Sequence, residues 1–539
     1  MTHHAASGPR VVVVGSGPIG ATYARLVLEG HPTATVLMAE LGPQLTERPG
    51  ESVRNITDPD ERAAARAASQ GPQSDARTRA SLGIPAETVV EGTFTARQGT
   101  HLVDFGGPGS GHAADFPAAA MATNVGGHGA HWTCACPRPR ESERIGFIPE
   151  LDALLDDAER LLHVTHAAFS GSPVGAAIRS ALQAELAADL PDDAGPGFLP
   201  VAGDEQPDGS MIWAGTEVIL APLLDDPALA ERFELRPLTL AREVRHDGGR
   251  VSGVLLEDVA TKRRYAEPAD VVVVAADALR SPQLLWASGI RPPALGRYLT
   301  EHPAVFSVIA LDGERMRAFA TEEDLTQELA QRAKNPTDPV SAVNRVPYSE
   351  PDHPFGGQIM YNDAPPFPLP EGHPLADNRW GYVNAGYGLR KFPRAEDRVV
   401  FDDDEADYLG FPAMTIHYAL TDRELAEVEQ ASAYLRRISK ALGEFLPGGE
   451  PRLMPAGTSL HYKGTMRMGE HDDGTSVCDG WSRVWGFDNL IVGGNALIPT
   501  ATAVNPTLTS VALAVRGARR LVEDLARTSQ RPSELTSLG

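Results

Sequence analysis

A glycine-rich turn between two short apolar segments, near the start of the chain, constrains the fold most strongly. Residues 10–14 are RVVVV, a continuous apolar run typical of a strand that is buried on both faces. The turn GSGPIG follows, then a segment of helical pattern that ends at Gly30, and then a second apolar segment at 34–40. This order of strand, turn, helix and strand predicts a βαβ unit, and therefore an α/β fold with a parallel sheet.

The glycines of this turn have the G-x-G-x-x-G spacing of a dinucleotide-binding loop. Gly15, Gly17 and Gly20 allow the backbone to approach a pyrophosphate at the N-terminus of the following helix. Glu40 ends the second strand, where a carboxylate accepts hydrogen bonds from ribose hydroxyls. Strand, helix, strand and acid in register therefore predict a bound dinucleotide. A tight turn in an ordinary α/β domain is the alternative.

Length and charge exclude several classes of protein. At 539 residues the chain is too long for one simple core, which predicts two packed domains. With 48 Lys and Arg against 72 Asp and Glu, the net charge is −24. Such a surface argues against nucleic acid or an anionic membrane as a partner, because both would repel it. A neutral or cationic small substrate is compatible with this charge.

Neither a membrane segment nor a secretion signal is expected. No apolar run approaches the roughly 20 residues that cross a bilayer. The first apolar run leads directly into the glycine turn rather than into a cleavage site. Cysteine occurs three times, which agrees with a reducing compartment, so we expect a cytoplasmic protein.

Two later segments have the pattern of further parts of the nucleotide-binding domain. Residues 233–276 are rich in strand patterns and lead into a helix entered through Ser281 and Pro282. A third segment begins at Asn489 with a strand and a glycine turn and ends in a long helix. A returning C-terminal segment of this kind covers the ribityl chain in flavoproteins of the glutathione-reductase type. This segment favours FAD over a nicotinamide cofactor.

The separation of these segments predicts a discontinuous fold with a substrate domain inserted into the nucleotide-binding one. We expect a FAD-binding, Rossmann-like domain of the glutathione-reductase type, formed by residues 1–165, 226–310 and 455–539. We expect residues 166–225 and 311–454 to form an α+β substrate-binding domain with a large sheet.

The segment GGHGAHWTCACPRP at 126–139 allows two interpretations. Two histidines and two cysteines lie within nine residues, which is the spacing of a small zinc site. Three glycines in the same segment instead suit backbone that lies against the flat ring of a cofactor. We favour the cofactor loop, expect no metal, and interpret the cysteines as small buried side chains. The four side chains in question are His128, His131, Cys134 and Cys136.

The chain resembles the glucose–methanol–choline (GMC) oxidoreductases over nearly its whole length, and among them the pyranose oxidase branch. Similar sequences in that branch include glycoside 3-oxidases. Two departures are visible: Asp277 replaces a usual glycine, and Gly129-Ala130 replace the Ser-Thr that precedes His-Trp in the branch. The matching motifs are GSGPIGATYARLV at 15–27, GESVRNI at 50–56, NVGGHGAHWTCACPR at 124–138, LGRYLTEHP at 295–303, LHYKGTMRMG at 460–469 and VGGNALIPTATAVNPTLTS at 492–510.

The resemblance implies a catalytic pair formed by His461 and Asn505. Oxidation of an alcohol by a flavin requires removal of the hydroxyl proton while the hydride of the carbon goes to flavin N5. A neutral imidazole accepts such a proton near neutral pH, which suits His461 as general base. Asn505 would hydrogen-bond and orient the same hydroxyl. A histidine satisfied within a loop and a turn asparagine are the alternatives. We expect His302 and His128 to be structural.

The resemblance also implies the residues that contact FAD. In this branch the histidine aligned with His131 commonly bonds covalently to the isoalloxazine, and the residue aligned with Thr133 lies near N5. The loss of two hydroxyls before His131 leaves covalent and non-covalent attachment equally open. The expected cofactor-binding residues are Gly15, Gly17, Gly20, Glu40, Gly127, His131, Trp132, Thr133, Val244, Asn495, Pro506 and Thr507.

The implied substrate is a small sugar or glycoside, oxidised at carbon 2 or carbon 3 of its ring. Gln358, Tyr361 and Asp363 lie in the segment that resembles the substrate side of the family and are candidate sugar contacts. Dioxygen, yielding hydrogen peroxide, or a quinone would accept the electrons. Alternatives are a quinone-dependent dehydrogenase of this fold, a GMC enzyme for a non-sugar alcohol, an amine or steroid oxidase, and a non-enzymatic FAD-binding protein. We expect a monomer or a homo-oligomer.

Overall fold

The computed structural model describes residues 8–69, 101–102, 115–191, 195–334, 338, 340–366 and 369–529. Its helices are α1 (Pro18–Gly30), α2 (Pro59–Ser69), α3 (Leu151–Leu161), α4 (Pro173–Leu186), α5 (Glu217–Asp225), α6 (Pro227–Ala230), α7 (Arg280–Ala287), α8 (Gly313–Met316), α9 (Glu322–Arg332), α10 (Asp422–Leu442) and α11 (Thr507–Ser529).

The strands alternate with these helices along the chain. They are β1 (Arg10–Val14), β2 (Thr35–Ala39), β3 (His101–Leu102), β4 (Ala120–Met121), β5 (Val164–Thr165), β6 (Gly197–Phe198), β7 (Val201–Glu205), β8 (Met211–Trp213), β9 (Phe233–Arg236), β10 (Thr239–His246), β11 (Val251–Asp258), β12 (Arg264–Pro268), β13 (Val271–Val274), β14 (Ala304–Leu311), β15 (Val340–Val346), β16 (Phe355–Asn362), β17 (Tyr382–Leu389), β18 (Arg398–Ala406), β19 (Pro412–His417), β20 (Gly443–Phe445), β21 (Arg452–Leu453) and β22 (Leu490–Val492).

A five-stranded parallel sheet forms the first layer, in the order β22-β13-β1-β2-β9. The valines of β1 and β13 pair in register, Val12 with Val272, and are buried. Continuous apolar strands of this kind are expected where both faces of a parallel sheet are covered. Three segments that are far apart in the sequence thus supply one sheet, which confirms the predicted discontinuous α/β fold.

Helix α1 packs against this layer, and α11 packs side by side with α1. Small residues set the close approach between them, because a Cβ on Gly517 would lie 2.1 Å from the hydroxyl of Tyr23. A Cβ on Gly30 would lie 2.9 Å from Val522. The C-terminal helix is therefore seated on the first helix of the βαβ unit, beside the glycine turn.

A second, mainly antiparallel sheet is formed by β20-β14-β17-β16-β15-β6, with β21 paired to β14. Helices α10 and α4 cover one face of it. On that face Phe355 and Tyr387 make edge contacts with each other, and Phe355 also contacts Tyr434 of α10. The opposite face carries Gly356 and Gln358 and faces the loop that precedes α11. Helices α10 and α4 leave this opposite face uncovered, and because it carries the predicted sugar contact Gln358 we call it the substrate face.

The sheets move two of the predicted domain boundaries. Strand β14 belongs to the second sheet, although residues 304–310 were predicted to lie in the FAD-binding part. Helix α5 packs on α1 and therefore joins the first layer, although residues 166–225 were assigned to the substrate domain. Thr216, just before α5, donates to the carbonyl of Gly126 at 2.7 Å. Neither change is marked in the sequence, because both depend on pairing between distant segments.

Among the helices of the described ranges, none is long and apolar enough to cross a membrane.

Candidate active site

An elongated cavity lies where β1, β2 and β13 end, next to the N-terminus of α1. Gly15 has a φ of +100°, and a Cβ on it would lie 2.4 Å from the carbonyl oxygen of Ala275. A Cβ on Gly20 would lie 2.1 Å from the carbonyl oxygen of Gly15. Glycine is therefore required at both positions, and the turn brings the helix N-terminus to the cavity.

Glu40 is held at one edge of this cavity by its own hydrogen bonds. Its carboxylate accepts bonds from the backbone N–H of Ser16 at 3.1 Å, the Ser16 hydroxyl at 2.7 Å and the N–H of Gly42 at 3.0 Å. Burial raises the pKa of Glu40, and these donors oppose that rise. A fixed carboxylate at the end of β2 is the group that a dinucleotide ribose requires.

Most of the predicted cofactor residues line the cavity, and five do not. The lining includes Gly15, Gly17, Glu40, Gly127, Trp132, Asn495 and Thr507. The predicted residues outside the lining are Gly20, His131, Thr133, Val244 and Pro506.

Strand β10 contacts the cavity at a different point from the one predicted. Val244 is fully buried, and its backbone N–H donates to the Ser288 hydroxyl at 2.9 Å. Thr239, Leu240 and Ala241 of the same strand line the cavity instead. An irregularity in the β10–β11 pairing directly after Ala241 separates the two parts of the strand, so the contact ends before Val244.

Asp277, which stands where the family has glycine, also lines the cavity. Its φ is +79°, in the left-handed region that favours glycine. The side-chain Oδ1 accepts a hydrogen bond from the N–H of Leu279 at 2.8 Å. Aspartate tolerates this conformation through such local bonds, so the turn keeps its shape.

The histidine- and cysteine-bearing loop runs along the cavity. Gly126 has a φ of +89°, and a Cβ on it would lie 2.6 Å from the Cα of Gly50. A Cβ on Gly127 would lie 3.1 Å from the Cα of Gly17. Trp132 is buried with its indole N–H donating to the carbonyl of Ala214 at 2.8 Å. The glycines therefore allow this loop to lie directly against the dinucleotide turn.

The zinc interpretation of this loop is not supported. Within the part of the chain that the structure describes, no group of three or more His, Cys, Asp or Glu side chains could hold a metal ion. Cys134 and Cys136 are fully buried, and burial raises the pKa of the Cys134 thiol to about 12. A thiol of this kind stays protonated at neutral pH, which agrees with the interpretation of both cysteines as small buried side chains.

His131 does not line the cavity. Both of its ring nitrogens are buried without a hydrogen-bond partner among the described residues. Burial, with the nearby charge of Arg66, lowers its pKa to about 4, so the ring is neutral at neutral pH.

Outside the lining of this cavity, the structure brings His461 and Asn505 together. Asn505 Nδ2 lies 3.3 Å from His461 Nε2. Gln358 of β16 donates from Nε2 to Asn505 Oδ1 at 2.5 Å. On the other side, His461 Nδ1 lies 3.1 Å from His302 Nδ1. Four side chains from separate segments thus form one hydrogen-bonded row.

The direction of each bond in this row follows from its neighbour. Because Gln358 donates to Asn505 Oδ1, the amide nitrogen of Asn505 faces His461 and donates to Nε2. Neutral His461 therefore carries its proton on Nδ1 and donates it to His302 Nδ1. His302 then carries its proton on Nε2, which faces the Thr502 hydroxyl at 3.5 Å. The row leaves Nε2 of His461 free of a proton, as a general base requires.

His302, which we expected to be structural, is in direct contact with His461. His302 is 3% exposed, and its ring contacts that of His461 edge-on at 4.9 Å between centroids. Burial and the charge of Lys463 lower its pKa well below the usual range. His302 is therefore neutral and able to accept the Nδ1 proton of His461.

Glu301, the residue before His302, holds the loop that carries His461. Glu301 is buried, and its carboxylate accepts hydrogen bonds from the N–H groups of Gly457 at 2.7 Å and Ser459 at 2.8 Å. Thr300 and Lys463 exchange two backbone hydrogen bonds across the same junction. The segment from Gly457 to Lys463 is thus fastened on both sides of His461.

The loop that carries Asn505 is seated between a carboxylate and two glycines. Glu143 is buried and accepts a hydrogen bond from the N–H of Ala503 at 2.5 Å. A Cβ on either Gly356 or Gly388 would lie 3.2 Å from the Ala503 carbonyl oxygen. The bare backbone of β16 and β17 therefore lets the loop approach closely enough for Gln358 to reach Asn505.

Two of the three predicted sugar contacts lie elsewhere. Tyr361 is fully buried, donates to the Trp380 carbonyl at 2.9 Å, and lies on the opposite face of β16 from Gln358. Asp363 follows at the end of the strand, where the charge of Arg332 acts on it. Arg332 also stacks on the Tyr361 ring, so both residues belong to the same side of the sheet. Side chains of successive strand residues point to opposite faces, and the resemblance to the family did not by itself show which face each residue occupies.

The same alternation identifies residues that the sequence interpretation missed. Arg345 of β15 pairs with Gln358, and Asn384 of β17 pairs with Met360, so all four lie on the substrate face. The side-chain oxygen of Asn384 is buried without a hydrogen-bond partner among the described residues. Period-two counting from Gln358 would have found Met360, whereas Arg345 and Asn384 require the strand register.

Comparison with known proteins gives a consistent result. The two parts of a family model described as GMC oxidoreductase match residues 149–304 and 393–514. A C-glycoside 3-oxidase of Microbacterium trichothecenolyticum is 44% identical over 522 residues, which are 96% of this chain and 96% of that protein. A pyranose 2-oxidase of Tricholoma matsutake is 31% identical over 551 residues, covering 96% of this chain and 94% of that protein.

The fold is also that of a solved formate oxidase of Aspergillus oryzae RIB40. The two chains superpose with a TM-score of 0.63 over 98% of this chain and 99% of the other, at 14% identity.

The two faces of β16 predict opposite results for two nearby substitutions. Tyr361→Phe removes only a hydroxyl bond to the Trp380 carbonyl, so we expect about 1 kcal/mol less unfolding free energy and unchanged catalytic constants. Gln358→Ala removes the donor that orients Asn505, so we expect catalysis to fall about tenfold or more with little change in stability. Chemical denaturation and steady-state kinetics on both variants check this. Loss of activity in Tyr361→Phe alone would contradict the assignment of faces.

Proposed function

Because the chain belongs to the GMC oxidoreductase family, whose cofactor is FAD, we propose that it oxidises a ring secondary hydroxyl of a sugar or glycoside to a ketone. The observation that carries the proposal is the hydrogen-bonded row of Gln358, Asn505, His461 and His302 beside the dinucleotide cavity. It places an unprotonated imidazole nitrogen and an amide N–H side by side, as the removal of a hydroxyl proton requires.

The residues that line the cavity fit FAD. The glycine turn and the N-terminus of α1 suit the pyrophosphate, and Glu40 suits the adenosine ribose. Trp132, Asn495 and Thr507 line the cavity, and the loop before α11 leads from it to Asn505. When bound, FAD accepts the hydride of the carbon that carries the hydroxyl.

His461 and Asn505 act on the hydroxyl itself. The substrate oxygen would displace the Asn505–His461 contact and take its place between the two side chains. Nε2 of His461 then accepts the hydroxyl proton, while Nδ2 of Asn505 donates to the oxygen and fixes its direction. The cation formed on His461 stays hydrogen-bonded to His302, which is neutral and accepts from Nδ1.

We favour carbon 3 of a glycoside as the position of oxidation and dioxygen as the electron acceptor. Support for carbon 3 comes from the C-glycoside 3-oxidase, which is more similar to this chain than the pyranose 2-oxidase is. Carbon 2 of a free pyranose and a quinone acceptor are the alternatives. A cytoplasmic location, and a monomeric or homo-oligomeric state, stay predictions from the sequence.

Anaerobic mixing with glucose and with a C-glucoside tests the proposed reaction. We expect the flavin absorbance near 450 nm to bleach, NMR of the product to place the ketone at carbon 3, and air to reoxidise the flavin with release of hydrogen peroxide. In His461→Ala we expect full FAD content but bleaching slower by about 10²- to 10⁴-fold, the usual contribution of a general base. Bleaching by none of the sugars, or at full rate in His461→Ala, would contradict the proposal.

We also propose that FAD is held without a covalent bond to His131. The proposal is supported by the position of this ring outside the cavity lining and by the absence of hydroxyls at Gly129 and Ala130. After precipitation with acid, we expect all of the yellow colour in the supernatant. Colour that stays with the pellet, and is lost from it in His131→Ala, would show a covalent bond.

The tautomer set by His302 predicts different effects for two substitutions of this residue. In His302→Leu the Nδ1 proton of His461 loses its acceptor, so we expect flavin reduction slower by about tenfold with little change in KM. The acid limb of its pH profile should move to lower pH, because the His461 cation loses a hydrogen-bond acceptor. His302→Asn keeps an acceptor oxygen near the Nδ1 position, and we expect it to retain most of the rate.

Equal losses in the Leu and Asn variants, with unshifted pH profiles, would mean that His302 contributes only packing. FAD content and thermal stability of both variants serve as controls.

A further inference from the structure

A small cavity that Asn505 and Gln358 help to line also carries cationic side chains and, among the described residues, no carboxylate. The cations are Arg138, Arg140 and Arg345. This is unusual in a chain whose net charge is −24. The acidic surface suggested a neutral or cationic substrate, and the lining of this cavity suggests the opposite.

Arg345 is the cation nearest to the catalytic row. In the β15–β16 pairing it lies directly opposite Gln358, the residue that donates to Asn505. Opposite residues on neighbouring antiparallel strands have Cβ atoms about 5 Å apart and project to the same face. Arg345 therefore projects on the same face of the sheet as Gln358, and Gln358 in turn bonds Asn505.

Arg345 has no partner for its charge. The guanidinium makes no hydrogen bond or ion pair with any residue in the described ranges, although the side chain is half-buried. Arg138, which lines the same cavity, is bonded to Glu159 at 2.7 and 2.6 Å. Burial and the positive charge of Arg140 lower the pKa of Arg345. A guanidinium nevertheless stays protonated in proteins, so Arg345 remains a cation.

A half-buried charge without a counter-ion is costly unless a ligand supplies one. Sugar hydroxyls accept hydrogen bonds from a guanidinium but leave its charge uncompensated. A carboxylate matches the planar fork of arginine with two parallel charge-assisted bonds. A substrate that carries a carboxylate would therefore supply the counter-ion that Arg345 lacks among the described residues.

We propose that Arg345 forms a carboxylate-binding subsite and that the preferred substrate is an anionic sugar or glycoside. The carboxylate belongs either to the oxidised ring, as in a uronic acid, or to the group attached to that ring. Arg345 lies opposite Gln358 in the strand register, which favours a carboxylate on the oxidised ring or on the group attached to it. This inference rests on the proposed sugar oxidation and refines its substrate class.

Two matched substrate pairs separate the two sources of the carboxylate. The rates of flavin reduction by methyl β-D-glucuronide and by methyl β-D-glucoside are compared to test for a carboxylate on the ring. The 4-carboxyphenyl and 4-carbamoylphenyl β-D-glucosides, which are nearly equal in size, are compared in the same way to test for a carboxylate on the aglycone. For the holoenzyme we expect one of the acids to reduce the flavin with a second-order rate constant about 10- to 100-fold above that of its neutral partner, the range of a charge-assisted hydrogen bond.

Substitutions of Arg345 then assign that preference. In Arg345→Gln we expect the acid and its neutral partner to react within about threefold of each other, because the acid loses more rate than the neutral partner does. Arg345→Lys keeps the positive charge but loses the planar guanidinium that bonds a carboxylate through two hydrogen bonds. It should therefore retain part of the preference for the acidic substrate. Arg179→Gln is the matched control, because Arg179 is also half-buried and bonds Asn344, the residue before Arg345, from the other face of β15. It should keep the full preference.

The possible outcomes distinguish this inference from the proposed function. Reduction of the flavin by neutral and acidic partners at equal rates would overturn the carboxylate subsite and leave sugar oxidation intact. An equal loss with both partners in Arg345→Gln would also overturn it, since Arg345 would then bind hydroxyls. Failure of every sugar and glycoside, acidic or neutral, to reduce the flavin would instead contradict the proposed function.

Discussion

The proton on Nδ1 of His461 is the detail on which the proposed chemistry of this site depends. It is placed there by bonds on both sides: Asn505 donates to Nε2, and His302 accepts from Nδ1. Gln358 determines which end of the Asn505 amide faces the imidazole. Because the direction of the Gln358 bond carries through Asn505 to His461, the proposed base has the required tautomer before a substrate arrives.

The surrounding structure serves to hold these four side chains at bonding distance. Glu301 fastens the loop of His461, and Glu143 fastens the loop of Asn505, each through backbone N–H groups. Glycines 356 and 388 leave the strand surface bare where the second loop rests. Buried carboxylates that accept several backbone bonds are rigid anchors, and they account for the precision of a site that is built from loops.

The substrate face adds a second level of organisation. It is one side of an antiparallel sheet, so its members recur at every second residue and at matching register on neighbouring strands. Gln358, Arg345 and Asn384 meet on it although they come from three strands. The positive charge of Arg345 inside an acidic protein shows that net charge describes the surface and says little about an enclosed site.

Much of the nucleotide-binding half was determined by the sequence alone. The valine run of β1, the glycine turn and Glu40 all lie within residues 10–40, so one short βαβ unit encodes their conformations. Family motifs likewise identified His461 and Asn505. Only the tertiary structure decided the partner of His461, which is 159 residues distant in the chain, the face of Tyr361, the contact point of β10, and the layer to which α5 belongs. Each of these depends on register and packing between remote segments, for which a single sequence carries no local signal.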